Sequence, residues 1–163
     1  MLLARNTGRG FVDVSADAGS VFREAWLGRG LAIGDIDNDG RIDAVVTTND
    51  GPLYILRNVT STPYHWLTLK LTGHKSNRDA IGAEVKIVAA KNSQVATVTT
   101  ASSYLSSSDK RLHFGLGTAS VAETIEIRWP SGIRQTIKNV PADQILQVDE
   151  LAGNETEGGR PKQ

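Results

Sequence analysis

Short runs of alternating apolar and polar residues, separated by turn residues, make up most of this chain. His65 to Leu71 (HWLTLKL) sets Leu67, Leu69 and Leu71 on one side and Trp66 and Thr68 on the other. That is the period-two signature of a strand with one buried face. GLAIGDI, DAVVTT, PLYILRN, IGAEVKIVAA, SQVATVTTA, KRLHFGL, ETIEIRW, IRQTIKN and DQILQVDE read the same way. TNDG, PSG and KNS supply turn chemistry, because Asn and Gly tolerate positive φ and Pro pre-sets φ. AKNSQ is the expected turn between two of the strands, and SADAGSVFREAW has room for one short turn. No amphipathic run of helical length is present. Strands at a spacing of about 8–12 residues predict an all-β sandwich or barrel.

The pattern divides near VTSTPY, Val59 to Tyr64. Residues 1–60 hold an acidic loop and an internal echo: LLARN from Leu2 matches YILRN from Tyr54, an offset of 52 residues. Repeats of roughly this period suggest arrays or propellers, so the chain reads as a cut through such an array. Residues 61–150 carry enough strands for a sandwich of their own. Residues 151–163 (AGNETEGGRPKQ and its preceding Leu) are polar, Gly-rich and aperiodic, and are expected to be disordered.

Composition narrows the function classes. The chain has 163 residues, with 18 Lys plus Arg against 18 Asp plus Glu. That balance argues against nucleic acid as a partner. With 0 cysteines, disulfides, zinc thiolates and a cysteine nucleophile are excluded. No apolar run is long enough to span a membrane. The start lacks the apolar stretch of a signal peptide, which fits a piece of a longer chain.

The clearest chemistry is GDIDNDGRID, Gly34 to Asp43. Asp35, Asp37 and Asp39 alternate, Gly40 allows a sharp turn, Arg41 can offer its carbonyl, and Asp43 closes the set. A hard cation such as Ca²⁺ takes six to eight oxygens at roughly 2.3–2.6 Å, and Mg²⁺ prefers fewer carboxylates and more water. An EF-hand is excluded: its twelfth position would be Val46, not glutamate, and the flanks read as strands. The expectation is a Ca²⁺ turn joining two strand ends. All four carboxylates could be consumed as ligands, leaving no general base, so a structural ion is favoured. A solvated acidic hairpin is the alternative.

NTGRGFVDVSADAG followed by GRGLAIGDIDNDGRIDAVVTTNDGPLYILRN closely resembles an FG-GAP (VCBS-type) repeat, the blade unit of integrin-like β-propellers. The resemblance covers about residues 5–58. It implies calcium bound by Asp35, Asp37, Asp39 and Asp43, with Arg41 in the backbone-ligand position. LTLKLTGHKSNRDAIGAEV, LHFGLGTA, IEIRWPSGIRQTIKNV and QILQVDE resemble the ASPIC/UnbV domain over about residues 64–150. Together these imply a partial propeller blade followed by an antiparallel β-sandwich, in a protein exposed outside the cell or on its envelope. They also imply a non-catalytic binding or adhesion role toward a protein or glycan. A lone blade leaves apolar faces and edge strands uncovered. It must dock on the sandwich, meet a second copy, or find neighbours in a parent protein; self-association is the expectation.

Two other constellations compete. The loop GHKSNRDAIG, Gly73 to Gly82, offers His74, Lys75, Asn77, Arg78 and Asp79, and Trp129 could stack on a sugar; together they define a carbohydrate-recognition alternative. In the plainer account the loop is a charged turn and Trp129 closes a strand end. The serines of SSYLSSSDK, Ser102 to Lys110, define a hydrolase alternative, although no nucleophile-elbow pattern surrounds them. His113 reads as a packing or hydrogen-bonding residue rather than a base, and no catalytic partner is placed beside His65 or His74.

Overall fold

The computed structural model describes residues 1–151, so the expected disordered tail, apart from Leu151, lies outside the described residues. β1 (Ala4–Asn6) and β2 (Phe11–Asp13) form a small antiparallel hairpin that the sequence reading did not anticipate. Gly8 supplies the positive φ its loop needs, and the Thr7 amide donates to the Gly10 carbonyl at 2.9 Å. Two 3-10 turns follow, Ser15–Asp17 and Ser20–Arg23, where one was expected.

β3 (Gly28–Gly34), β4 (Asp43–Thr48) and β5 (Tyr54–Leu56) make a three-stranded antiparallel meander. Register places Leu31, Val46 and Tyr54 side by side on one face, with Trp26 stacked on Tyr54 at 3.8 Å between ring centroids. Val46 is the one buried apolar side chain of this unit, while Leu31, Ile33 and Ile55 stay exposed. The meander is therefore nearly coreless.

The core lies in the second half. β6 (His65–Thr72), β7 (Glu84–Ala89), β8 (Asn92–Thr97), β9 (Leu112–Gly117), β10 (Val121–Arg128), β11 (Arg134–Pro141) and β12 (Gln144–Asp149) build two sheets, ordered β11-β10-β7-β8 and β12-β6-β9. Alternate residues face inward: Leu67, Leu69 and Leu71 of β6 and Phe114 of β9 pack against Val85, Ile87, Ile125 and Ile127 of the opposite sheet. Burial at about 25 cal/mol per Å² makes this shared core the main source of stability. The β7–β8 turn is a two-residue hairpin at Ala90 and Lys91, both at positive φ, whose twist matches the flanking strands. The sandwich is not wholly antiparallel: β12 returns from the four-stranded sheet and pairs with β6 in parallel. Strand direction depends on which sheet the chain last left, and a one-dimensional pattern carries no sign of it.

The meander docks on this sandwich. The segment before β9 runs beside β3: Asp109 N donates to Ile33 O at 2.9 Å and Ile33 N donates to Ser108 Oγ at 3.1 Å. Glycine permits the approach, since a Cβ on Gly30 would lie 2.5 Å from Ser106 Oγ and one on Gly34 2.8 Å from Asp109 Cβ. Arg29 lies over the Tyr104 ring, 4.5 Å from its centroid.

Candidate metal centre and the sheet beneath it

The turn between β3 and β4 winds around Asp35. Its carboxylate, 3% exposed, accepts the Asp39 amide at 3.0 Å and the Gly40 amide at 2.9 Å. Asn38 and Gly40 take positive φ, which closes the loop tightly. Asp35, Asp37 and Asp39 each bring a carboxylate oxygen to within 4.8 Å of the others. Three hard, anionic oxygen donors this close are a donor set that suits a divalent cation such as Ca²⁺.

Asp43, the fourth expected ligand, also braces the frame of the loop. It is 2% exposed and stands outside the convergent group. Its Oδ2 accepts the Ile36 amide at 3.0 Å and its Oδ1 the Asn58 amide at 2.8 Å. It thereby ties the start of the loop to the chain leaving β5.

The side chain of Arg41 also has a role that the sequence reading did not give it: it pairs with Asp39 and donates from Nε to Asn58 O at 2.8 Å. Arg57, which the sequence reading missed, pairs with Asp37. Neutralising cations thus sit beside the loop, Arg41 from within it and Arg57 from the end of β5. The pairing of β4 with β5 is what brings Arg57 there, so sequence distance concealed it.

Beneath the loop is the outer face of the three-stranded sheet. Because β6 and β9 send leucines and Phe114 inward, Trp66, Thr68 and His113 face outward. Thr68 Oγ and His113 Nδ1 are 2.9 Å apart, and the Trp66 and His113 rings stack at 5.9 Å. Burial holds the His113 imidazole below its ordinary range; nearby Asp35 opposes this and Arg111 adds to it. His113 is therefore a hydrogen-bonded platform residue. A groove of about 710 Å³ runs between loop and sheet, lined by Gly40, Arg41, Tyr64, His65, Trp66 and Asp143 among others.

The 73–82 loop is largely committed to its own fold. The Glu150 carboxylate, 4% exposed, accepts the amides of His74, Lys75 and Ser76 on Oε2 and the hydroxyl of Ser76 on Oε1. The Ser131 hydroxyl donates to the same Oε1. Burial pushes the Glu150 pKa up, but these hydrogen bonds, led by Ser131, outweigh it and hold the group at about 2. Asn77 closes on Ile81, donating to its carbonyl and accepting its amide, each at 2.8 Å. Asp79 pairs with Lys110, whose hydrogen bond and charge lower the Asp79 pKa. The His74 ring lies 3.3 Å from Asp149. Lys75 and Arg78 keep exposed side chains.

Trp129 corrects the sugar-platform expectation. It is 1% exposed, packed in the core, and its Nε1 donates to Gln135 Oε1 at 3.0 Å. The serine hydroxyls of the hydrolase alternative bond within their own loop. Ser108 Oγ donates to Ser102 Oγ at 3.0 Å and Ser106 Oγ to Tyr104 O at 3.0 Å, while the imidazoles of His65, His74 and His113 meet Asp143, Asp149 and Thr68.

A coreless meander carrying an acidic turn, seated on a two-sheet sandwich, defines the class of molecule. The model of the ASPIC and UnbV family matches residues 73–155, just over half of the chain, and the chain belongs to that family. It is similar to cartilage acidic protein 1 of Homo sapiens, 27% identical over 137 residues, which cover 82% of this chain and 20% of that protein. The Xenopus tropicalis protein of the same name is 28% identical over 129 residues, covering 77% and 20%. The chain thus spans about a fifth of the length of these curated relatives.

Proposed function

We propose that this chain is a non-catalytic interaction module of a longer protein, stiffened by one Ca²⁺ in the β3–β4 turn. The supporting observation is the convergence of Asp35, Asp37 and Asp39 oxygens to within 4.8 Å on a loop whose backbone is wound about Asp35. Those three side chains would hold the ion, and the Arg41 carbonyl is the backbone donor implied by the resemblance to FG-GAP repeats. Bound there, a divalent cation supplies the positive charge that lets three carboxylates share one point. Asp43 fixes the frame around them. In this reading the meander is an FG-GAP-type blade, and the protein works outside the cell or on its envelope.

A binding rather than a chemical role is supported by the partners of the histidines, each engaged away from the serine loop. The exposed apolar residues Leu31 and Ile33, on one face of the meander, suit contact with another protein surface. Among the described residues no helix is long and apolar enough to cross a membrane. Calorimetric titration with CaCl₂ tests the metal: the wild type gives a saturable isotherm and Asp37→Ala does not. Identical flat traces for both would refute the proposed ion.

A further inference from the structure

We propose that Arg111 and Trp66, both belonging to the sandwich, position the aspartate turn for its cation, so that affinity is set from outside the loop. This rests on the calcium reading above.

Arg111 begins the approach to β9, 76 residues from Asp35 in sequence. Its Nη2 donates to the Asp35 carbonyl and its Nη1 to Asn38 Oδ1, each at 2.6 Å. Its Nε donates to Asp109 Oδ2 at 2.6 Å, and Asp109 Oδ1 accepts the Arg111 amide at 2.9 Å. Asp109 is itself anchored by its own amide to the Ile33 carbonyl, on β3 just before the turn. The planar guanidinium therefore bridges a fixed point on the strand and two points on the loop, which a flexible ammonium could not hold together in one geometry.

Trp66 fixes the other end. Gly40 sits at φ +83°, and a Cβ there would fall 2.0 Å from the Trp66 indole. The turn is thus pressed on the sheet at Gly40 and suspended from Arg111 at Asp35 and Asn38. These two restraints flank the three convergent carboxylates.

The bonding pattern separates positioning from neutralisation. Arg41 and Arg57 pair directly with the carboxylates of Asp39 and Asp37. Arg111 instead gives its two loop contacts to neutral oxygens, the Asp35 carbonyl and the Asn38 side-chain amide. Removing a cation that only neutralises leaves the loop more negative and must strengthen Ca²⁺ binding. Removing one that shapes the loop must weaken it, although the charge change is the same.

The experiment is calcium titration by calorimetry on the whole chain, comparing wild type, Arg57→Gln, Arg111→Gln and Arg111→Lys, with melting in EGTA to show that each is folded. Arg57→Gln is expected to bind more tightly than the wild type. Arg111→Gln is expected to bind about tenfold more weakly, the loss of a bidentate charge-assisted contact. Arg111→Lys, which keeps the charge and loses the fork, is also expected to bind more weakly. Arg111 variants that bind as tightly as the wild type, or more tightly, would overturn the inference while leaving the calcium reading intact. An Arg111→Lys that does not fold would overturn it too, by making Arg111 a residue of the general fold. A wild type that binds no calcium would overturn both.

Discussion

Ser76 and Glu150, 74 residues apart in sequence, meet through both oxygens of the glutamate: the Ser76 amide lies 2.7 Å from Oε2 and its hydroxyl 2.9 Å from Oε1. With the His74 and Lys75 amides, this makes three successive N–H groups aimed at one carboxylate. Such a backbone nest is an anion cradle, and here the chain fills it with its own carboxylate. The contact joins the end of β12 to the loop after β6 and, through Ser131, to the turn after β10.

Glu150→Ala should therefore destabilise the fold by about 3 kcal/mol, since it leaves buried donors unpaired. The pH dependence has a definite sign. The folded pKa is about 2 and the ordinary value 4.5. A depressed carboxyl contributes its full stability above the unfolded value and loses it as pH falls through the folded one. Urea midpoints of the wild type should fall between about pH 4.5 and pH 2. In Glu150→Ala that component of the slope should vanish.

Asp43 and Asp37 should respond in opposite ways to mutation. Asp43→Ala orphans the Ile36 and Asn58 amides and should cost about 2–3 kcal/mol of stability without added metal. Asp37→Ala relieves crowding among three carboxylates and should cost little without metal, while abolishing calcium binding. Denaturant unfolding in EGTA separates the two. Equal destabilisation would mean that the loop carboxylates are not divided into frame and ligands.

Trp129→Ala should behave as a core truncation, losing about 3–5 kcal/mol. Trp129→Phe should lose less, keeping most of the packing and giving up the bond to Gln135. Thermal unfolding is the readout. A Trp129→Ala protein as stable as the wild type would contradict its placement in the core.

The exposed apolar residues Leu31 and Ile33, side by side on one face of the meander, should make the isolated chain associate as concentration rises. Light scattering across a dilution series should show mass increasing, and Leu31→Lys with Ile33→Lys, two positions on one face of β3, should reduce it. A monomeric mass at every concentration would count against an apolar contact surface there.

The sandwich was legible because alternation is a local property. Leu67, Leu69 and Leu71 announce a buried face without knowledge of what covers it, and the spacing of Asp35, Asp37 and Asp39 announces a turn in the same way. What could not be read locally was partnership. Arg57 reaches Asp37 only because β5 pairs with β4, and Arg111 reaches Asp35 only because the meander docks on the sandwich. Asp43 has the same sequence character as its neighbours, and only the Ile36 and Asn58 amides it accepts reveal its frame role. Glu150 carried a weak signal, an acidic residue ending an apolar strand, but its nest is formed by residues 74 positions or more away. Trp129 shows the opposite limit: an aromatic beside a Pro-Ser-Gly turn suits both a platform and a strand-closing plug, and burial alone decides between them. The β1–β2 hairpin was hidden by its brevity, although Gly8 and Gly10 mark its turn.

Thermal melting in calcium, magnesium and EGTA at matched ionic strength puts the structural ion itself to the test. Selective binding to the folded state adds RT ln(1 + [L]/Kd), about 2.7 kcal/mol at a hundredfold excess over Kd. The wild type should melt higher in calcium than in magnesium or EGTA, and Asp37→Ala should melt alike in all three. A wild-type melting temperature indifferent to calcium would contradict a structural ion in the Asp35–Asp39 turn.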